Sequence, residues 1–224
     1  MVVRLYLNHA LTEEQLVPLS QEHAHYLFGV MRLGVGAQIE VFNGSDGAWS
    51  AEVIQAAKRK GTLRVAAQIR PQRSAPDLWL LFAPIKKART DFIVEKATEL
   101  GASRICPVQT DWTNSERIRR DRLQAHAVEA AEQCGGTFVP EVRDLERLDK
   151  FLEGWDPARL LVVCDEVLVS EPVTAFDVPP PAAILIGPEG GFSPSERARF
   201  DRLSFARRLS LGPRVLRADT AAVA

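Results

Sequence analysis

The sequence AILIGPEGGFSPSE, residues 183–196, decides the fold of this chain. An apolar run of strand length leads into three glycines, and a helix-start signal follows. Ser193 is a predicted N-cap, Pro194 suits the first helical turn, and Glu196 stands three residues after the serine, as a capping box requires. Glycines after a strand also form plain tight turns. The capped helix favours the other interpretation, a buried strand and a loop whose bare backbone contacts a ligand.

A second loop of the same kind follows close behind. Residues 206–211 are a predicted strand, residues 211–214 (LGPR) a turn, and residues 215–224 a helix with Arg214 and Arg217 near its start. Neither loop carries the glycine, lysine and hydroxyl pattern of a nucleotide-phosphate loop, and no GxGxxG motif opens the domain. Ligands of α/β sheets lie beyond the carboxyl ends of the strands. The two loops therefore predict one pocket for a ligand that is not a triphosphate.

The chain divides near residues 70–76, a polar, proline-bearing stretch that suits a linker. Before it, short strand patterns separated by turn residues predict a small β-barrel in residues 1–73. After it, strands alternate with helices and predict an α/β domain with a mostly parallel sheet in residues 74–224. The predicted strands are 38–42, 49–54, 62–69, 78–83, 104–108 and 160–164, and the predicted helices are 91–100 and 117–133.

Composition limits the class of protein. With 46% hydrophobic residues, the chain can bury a good core. The net charge is −1, although residues 1–73 carry 8 basic against 6 acidic residues.

The three cysteines are far apart and form no CxxC pair, which favours free thiols in a reducing cytoplasm. No apolar run has membrane-spanning length, and the four histidines have no metal-site spacing, so we expect a cytoplasmic protein without a metal.

Several segments carry a family resemblance. Residues 186–196 (IGPEGGFSPSE) and 209–224 (LSLGPRVLRADTAAVA) closely resemble the paired C-terminal signatures of the RsmE-type 16S ribosomal RNA methyltransferases, members of the knotted SPOUT class. Residues 96–101, 132–135 and 139–141 are similar to family segments in the same order. Residues 22–32 resemble the family's N-terminal domain. The resemblance covers most of the chain.

The resemblance implies a function and a cofactor. It implies methylation of a uridine in 16S ribosomal RNA of the 30S subunit, at the ring nitrogen N3, with S-adenosylmethionine as methyl donor. It also implies a homodimer, a PUA-like barrel for residues 1–73 that binds RNA, and a SPOUT domain with a trefoil knot for residues 74–224. The predicted donor-binding residues are Leu185, Ile186, Gly187, Pro188, Glu189, Gly190, Gly191, Leu209, Ser210, Leu211, Gly212, Val215 and Leu216.

Uracil methylation needs a particular chemistry. The N3 atom must lose its proton before or during attack, and negative charge then spreads to the two flanking carbonyl oxygens. Arginine donates to such oxygens with a planar fork and stays charged. Arg214 and Arg217 are therefore the predicted stabilisers, and removing one such donor costs about 3 kcal/mol. Glu189 and Asp219 are candidate bases, although Glu189 alternatively holds its own loop and Asp219 alternatively caps or pairs with Arg217.

Basic residues outside the loops are candidates for phosphate contacts. Each such contact makes RNA binding dependent on salt, while the alternative for each cluster is an ordinary solvated surface. The predicted RNA-binding residues are Arg4, Arg32, Lys58, Arg59, Lys60, Lys86, Lys87 and Arg89. The chain also departs from the family pattern, because Asp111-Trp112-Thr113 stands where an Arg-Ser pair is often found.

Two alternative functions stay open at the level of sequence. The same fold can act on a different RNA, because the donor loops say little about the acceptor. A protein without catalytic activity, which binds RNA or assists ribosome assembly, can also keep the fold. Two intact glycine loops argue against the second alternative, and binding of S-adenosylmethionine distinguishes the two.

Overall fold

The computed structural model describes residues 2–115, 117–170 and 177–224. They form two compact units, one within residues 1–74 and 131–138 and the other within residues 75–130 and 139–224. Within the described ranges, no helix has both the length and the apolar character needed to span a bilayer.

The first unit is built on one five-stranded sheet. Its strands are β1 (Arg4–Tyr6), β2 (Leu16–Pro18), β3 (Gln38–Phe42), β4 (Ala48–Ala57) and β5 (Lys60–Arg70). They lie in the order β1-β3-β4-β5-β2, with β1 and β3 parallel and the other pairs antiparallel. Alternate residues of β4 and β5, Ala51 and Val53 on one strand and Leu63 and Val65 on the other, pack into one apolar cluster, as the twofold repeat of a strand predicts. A short helix, α1 (Gln21–Ala24), begins at Ser20 and continues as a π-turn over His25–Val30.

The second unit alternates strands with helices. In chain order these are β6 (Leu78–Phe82), α2 (Lys87–Glu99), β7 (Arg104–Gln109), α3 (Arg120–Cys134), β8 (Glu141–Val142), β9 (Glu146–Arg147), α4 (Leu148–Glu153), β10 (Leu160–Cys164), β11 (Ala182–Ile186), α5 (Pro194–Phe200), β12 (Ala206–Leu209) and α6 (Ala218–Ala221). A 3₁₀ turn, Glu166–Leu168, follows β10, and the last four residues of α3 fall within the first unit.

Seven strands of this unit form a sheet with the order β12-β10-β11-β6-β7-β8, and β9 also pairs with β7. Every pair is parallel, which confirms the predicted parallel α/β sheet. Alternate side chains enter two apolar clusters, as Leu185 and Ile186 show by belonging to different clusters. The apolar run at the end of β11 follows from this arrangement, because a parallel strand with both faces covered needs apolar side chains throughout.

The register of three strands brings two loops together. Cys164 pairs with Ile186 on one side and with Leu209 on the other, and each of these residues ends its strand. The segments that follow β10, β11 and β12 therefore leave the sheet at the same edge. This edge is where a ligand is expected in an α/β sheet.

Some predicted boundaries need correction. The helix predicted for residues 215–224 is wrong in extent, because only Ala218–Ala221 is α-helical and its N-cap, Arg217, makes no side-chain cap bond. The strand predicted to reach Leu211 ends at Leu209, because Ser210 forms a tight turn with Gly212. Helix α2 begins four residues before the predicted start at Asp91. The trefoil knot implied by the resemblance stays a prediction.

Candidate functional site

The glycine loop after β11 has the predicted construction. A backbone bond of 2.9 Å from the Gly191 amide to Pro188 closes its turn, and Gly191 has a φ of 72°. The loop covers the ring of Phe192, which is fully buried. At its exit, the Glu196 amide donates to the Ser193 hydroxyl over 3.1 Å, and the Ser193 amide donates to the Glu196 carboxylate over 2.8 Å. The predicted capping box is therefore confirmed, and the loop is fixed at both ends.

The second loop is shorter and leaves its backbone bare. The amide of Gly212 donates to the Ser210 hydroxyl over 3.2 Å, and that hydroxyl lies 3.1 Å from the Gly212 carbonyl oxygen, to which it donates. Gly212 has a φ of 116°, and among the described residues, its chain neighbours aside, no atom lies within 4 Å of a Cβ added there. This glycine therefore combines a conformation that other residues avoid with free space in front of it.

A cavity of about 390 Å³ lies where the two loops meet at the carboxyl ends of β10, β11 and β12. This volume falls in the range of small-molecule sites. Its walls combine apolar side chains, bare backbone and a few charged groups. The lining residues are Arg89, Cys164, Asp165, Glu166, Val169, Ile186, Gly187, Pro188, Glu189, Gly191, Ser210, Leu211, Gly212, Arg214, Val215, Leu216, Arg217, Ala218 and Ala221.

Most predicted donor-binding residues lie along this cavity. Ten of the thirteen contribute to its wall. The other three do not: Leu185 is fully buried in the core, Leu209 is a residue of β12, and Gly190 is exposed beside the indole of Trp112. The structure thus brings both predicted loops to one cavity, while the individual roles of these residues stay predictions.

Three arginines border the same cavity. Arg214 and Arg217 are predicted from their motif to stabilise the charged uracil, and both line the cavity together with Glu189. Arg89, a predicted phosphate contact, also lines the cavity. Its Nη1 atom lies 3.5 Å from Asp219 and 3.8 Å from Glu189, is shielded from solvent, and has no hydrogen-bond partner among the described residues. A buried, unsatisfied guanidinium nitrogen at a cavity wall is the kind of group that a bound molecule satisfies.

Sequence reasoning missed an acidic pair at the end of β10. The fully buried carboxylate of Asp165 accepts from Nε of Arg197 over 3.1 Å and from Nε of Arg208 over 3.0 Å. Nη2 of Arg197 also donates to Glu166 over 2.6 Å. A Cβ at Gly191 would lie only 1.7 Å from Oε1 of Glu166, so that carboxylate rests directly on the glycine loop. Two acidic residues immediately after an apolar strand were the available signal.

Cys164, Val169, Ala218 and Ala221 also line the cavity without having been predicted. Burial raises the pKa of the Cys164 thiol to about 12, so this wall is apolar rather than reactive. Within the described part of the chain, no group of three or more His, Cys, Asp or Glu side chains is placed to hold a metal ion. Charge at the site therefore comes from the arginines and carboxylates.

The remaining predicted RNA-binding residues lie outside the cavity. Arg4 donates to Glu40 and to the carbonyl oxygens of Ala131, Glu132 and Gly136, which occupies its guanidinium. The others are exposed on the surface of their own unit, and their contacts with RNA stay predictions. These exposed residues are Arg32, Lys58, Arg59, Lys60, Lys86 and Lys87.

Known proteins share this arrangement. The RNA methyltransferase domain family matches residues 72–224, and the RNA methyltransferase PUA domain family matches residues 19–66. Ribosomal RNA small subunit methyltransferase E of Synechocystis is 31% identical over 93% of this chain and 70% of its own length. The chain belongs to the ribosomal RNA small subunit methyltransferase E family.

Other family members extend the match to the whole chain. The Rickettsia conorii member is 28% identical and covers 98% of this chain and 91% of its own length. A solved methyltransferase from Legionella pneumophila, in complex with the bound cofactor S-adenosylmethionine, is 30% identical with a TM-score of 0.85, covering 100% of this chain and 94% of its own. The predictions of family and of a PUA-like unit joined to an α/β unit are confirmed.

Proposed function

We propose that this chain transfers a methyl group from S-adenosylmethionine to N3 of a uridine in 16S ribosomal RNA, acting on the small ribosomal subunit. One observation carries the proposal: both glycine loops and three arginines line the same cavity. Relatives named as small-subunit ribosomal RNA methyltransferases, and a similar protein solved with S-adenosylmethionine, support the same function.

The cavity fits the donor on its own features. Gly212 presents bare backbone to free space, and the apolar wall at Ile186, Val169 and Leu216 suits an adenine ring. Arg89 lines the cavity and its side chain is 31% exposed, so its guanidinium is the proposed partner of the donor's carboxylate. When bound, S-adenosylmethionine supplies a methyl group activated by a positively charged sulfur.

The chain's own contribution to the reaction lies mainly in charge and position. As the uracil N3 loses its proton, negative charge develops on the neighbouring oxygens, and Arg214 and Arg217 are placed on the cavity wall to donate to them. Hydrogen-bond donors at the position where charge develops lower the free energy of the transition state. Both arginines are exposed in the structure, as groups that meet a macromolecular substrate must be.

Glu189 is the proposed proton acceptor. Its side chain is 54% exposed, against 20% for Asp219, so Glu189 is the carboxylate more accessible to an incoming uracil ring. Both carboxylates lie near Nη1 of Arg89, and Asp219 lies in the first turn of α6 directly after the N-cap Arg217. We assign Asp219 to holding Arg89 and Glu189 to taking the proton.

A transfer assay tests the function. Labelled S-adenosylmethionine is offered with 30S subunits that lack the modification, with free 16S ribosomal RNA and with transfer RNA, and labelled nucleosides are identified by mass spectrometry. We expect 3-methyluridine from the small-subunit RNA. Label found only in transfer RNA contradicts the acceptor, and donor binding without transfer to any RNA supports the non-catalytic alternative.

Pairing of two copies, which the family resemblance implies, is part of the proposal. Helix α6 has only four residues, and Val215 beside it is 65% exposed, so apolar surface is available there for a second copy. Light scattering of the purified protein measures its mass in solution. A mass equal to that of one chain contradicts the pairing.

A further inference from the structure

The turn after β7 carries a tryptophan that the proposed mechanism does not use. The indole of Trp112 is 43% exposed, whereas Trp155 is 9% exposed and donates its indole N–H to Arg159. Large aromatic side chains are normally buried, and a half-exposed one beside a ligand cavity is a candidate contact.

This turn is held rigidly. The Thr113 amide donates to the Thr110 carbonyl oxygen over 3.2 Å, and the two buried threonine hydroxyls lie 2.8 Å apart. The Thr110 amide also donates to the Thr113 hydroxyl over 2.9 Å. The backbone that presents Trp112 is therefore fixed before any ligand arrives, which reduces the entropy lost on binding.

The same turn is joined to the exit of the glycine loop. The Asp111 carboxylate accepts from the Ser193 hydroxyl over 2.5 Å and from the Ser195 hydroxyl over 3.1 Å. The Asp111 amide donates to the Glu196 carboxylate over 3.0 Å. These bonds occupy Asp111 and tie the turn to the capping box.

The indole also lies against the glycine loop itself. A Cβ added to Gly190 would be 3.8 Å from Cε3 of Trp112, so the ring contacts the exposed side of the loop whose neighbour Gly191 lines the cavity. Trp112 does not line the cavity, and it contacts the loop at Gly190, between the lining residues Glu189 and Gly191. A ligand group that contacts it must extend out of the cavity.

We propose that the Trp112 indole stacks on a nucleobase of the substrate RNA, next to the uridine that enters the cavity. The proposal rests on the proposed methylation of RNA. A nucleobase is favoured over an apolar protein partner because Arg214 and Arg217 at the adjacent cavity are exposed, make no ion pair among the described residues and can therefore attract phosphates. A flat π-face beside such cations is the usual combination for single-stranded RNA.

Substitutions separate stacking from simple apolar contact. Trp112→Phe keeps a π-face, whereas Trp112→Leu keeps apolar bulk without one, and Trp112→Ala removes both. We measure KM and kcat with 30S subunits, affinity for S-adenosylmethionine by calorimetry, and mass in solution by light scattering. We expect KM for the subunit to rise about tenfold in Trp112→Ala and Trp112→Leu, and clearly less in Trp112→Phe. Donor affinity and mass should stay at wild-type values.

Each other outcome overturns the inference in a distinguishable way. Equal activity of Trp112→Leu and Trp112→Phe means that bulk alone matters, and an unchanged KM in Trp112→Ala means that the ring does not contact RNA. A parallel loss of donor affinity assigns Trp112 to supporting the glycine loop, and a halved mass assigns it to an interface between copies. A wild-type protein that binds donor but transfers no methyl group overturns the proposed function as well.

Discussion

Two sets of arginines differ in what they contact: one set binds Asp165, a residue of the cavity wall, and the other set lines the cavity itself. Arg197 and Arg208 are held by the buried Asp165, with further bonds to Glu166 and Asp201. Arg214 and Arg217 line the same cavity, yet no salt bridge engages either of them in the described part of the chain. Arg89 is intermediate, because carboxylates lie near it but one nitrogen stays unsatisfied.

The difference separates arginines that stabilise the fold from arginines that are available to bind a substrate. A charged group is buried at tolerable cost only when it is paired and hydrogen-bonded. Arg197 and Arg208, whose donors are engaged by carboxylates and which we call the saturated set, therefore tie together the segments around β10, β11 and β12. An arginine whose donors are free can instead form bonds that appear only with the substrate. Arginines in and behind the wall of one cavity thus serve different purposes, and the partners of each arginine identify which purpose applies.

The largest effect is expected from removing the carboxylate at the centre of the saturated set. Asp165→Ala removes the buried carboxylate that Arg197 and Arg208 share and leaves each guanidinium with one more exposed partner, so we expect the free energy of unfolding to fall by about 3 kcal/mol. Denaturant titration measures the loss. Asp201→Ala is the matched control, because Asp201 is 60% exposed and its bond to Arg208 should contribute about 0 to 1 kcal/mol. Similar losses in the two variants contradict the assignment.

Arg214 and Arg217, the unsaturated set, should affect catalysis rather than stability. Arg214→Ala removes a proposed donor to the charged uracil, so we expect kcat to fall about 100-fold, equivalent to about 3 kcal/mol, while stability and donor affinity stay near wild type. Arg202→Ala, which changes an exposed arginine at the end of α5, should leave kcat unchanged. Single-turnover transfer and calorimetry distinguish the outcomes, and an equal loss of donor affinity moves Arg214 into the donor site.

The two glycine loops provide a finer test of the same contrast. In Gly191→Ala, the new Cβ collides with the Glu166 carboxylate and the backbone is strained at a φ of 72°, so we expect a loss of roughly 2 kcal/mol in unfolding free energy. In Gly212→Ala, the new Cβ meets no atom of the described residues, so stability should fall only through backbone strain at a φ of 116°, while donor affinity should also fall because the Cβ enters the space proposed for the donor.

A double variant identifies the cause of the Gly191→Ala effect. Glu166→Ala removes the colliding carboxylate and also the bond from Arg197, so the further loss caused by Gly191→Ala should be smaller in the Glu166→Ala background than in the wild type, whereas strain alone predicts the same loss in both backgrounds. If Gly212→Ala binds S-adenosylmethionine as tightly as the wild type, the second loop does not contact the donor.

Local features of the site were predictable from sequence, and distant ones were not. The capping box at Ser193 and the glycine loop depend on residues within a few positions, so the motif contains the information. Arg89 reaches the site from a helix a hundred residues earlier in the chain, where sequence showed only a basic cluster. The Asp165 network depends on the parallel register that sets β10 between β11 and β12. Register of this kind is not encoded in any short segment.

The smallest effect concerns the wall beside the saturated set, where Cys164 lies next to Asp165. Burial raises the pKa of Cys164 to about 12, and burial likewise raises the pKa of Cys106 to about 12, whereas Cys134 is exposed. Only the thiolate form of cysteine reacts with iodoacetamide. In the folded protein, a pKa of about 12 keeps the Cys106 and Cys164 thiols protonated at pH 8. We therefore expect iodoacetamide at pH 8 to alkylate Cys134 alone. Peptide mapping of native protein, with denatured protein as the control in which all three react, measures this. Alkylation of Cys164 as fast as Cys134 would contradict the burial of the Cys164 thiol beside the cavity.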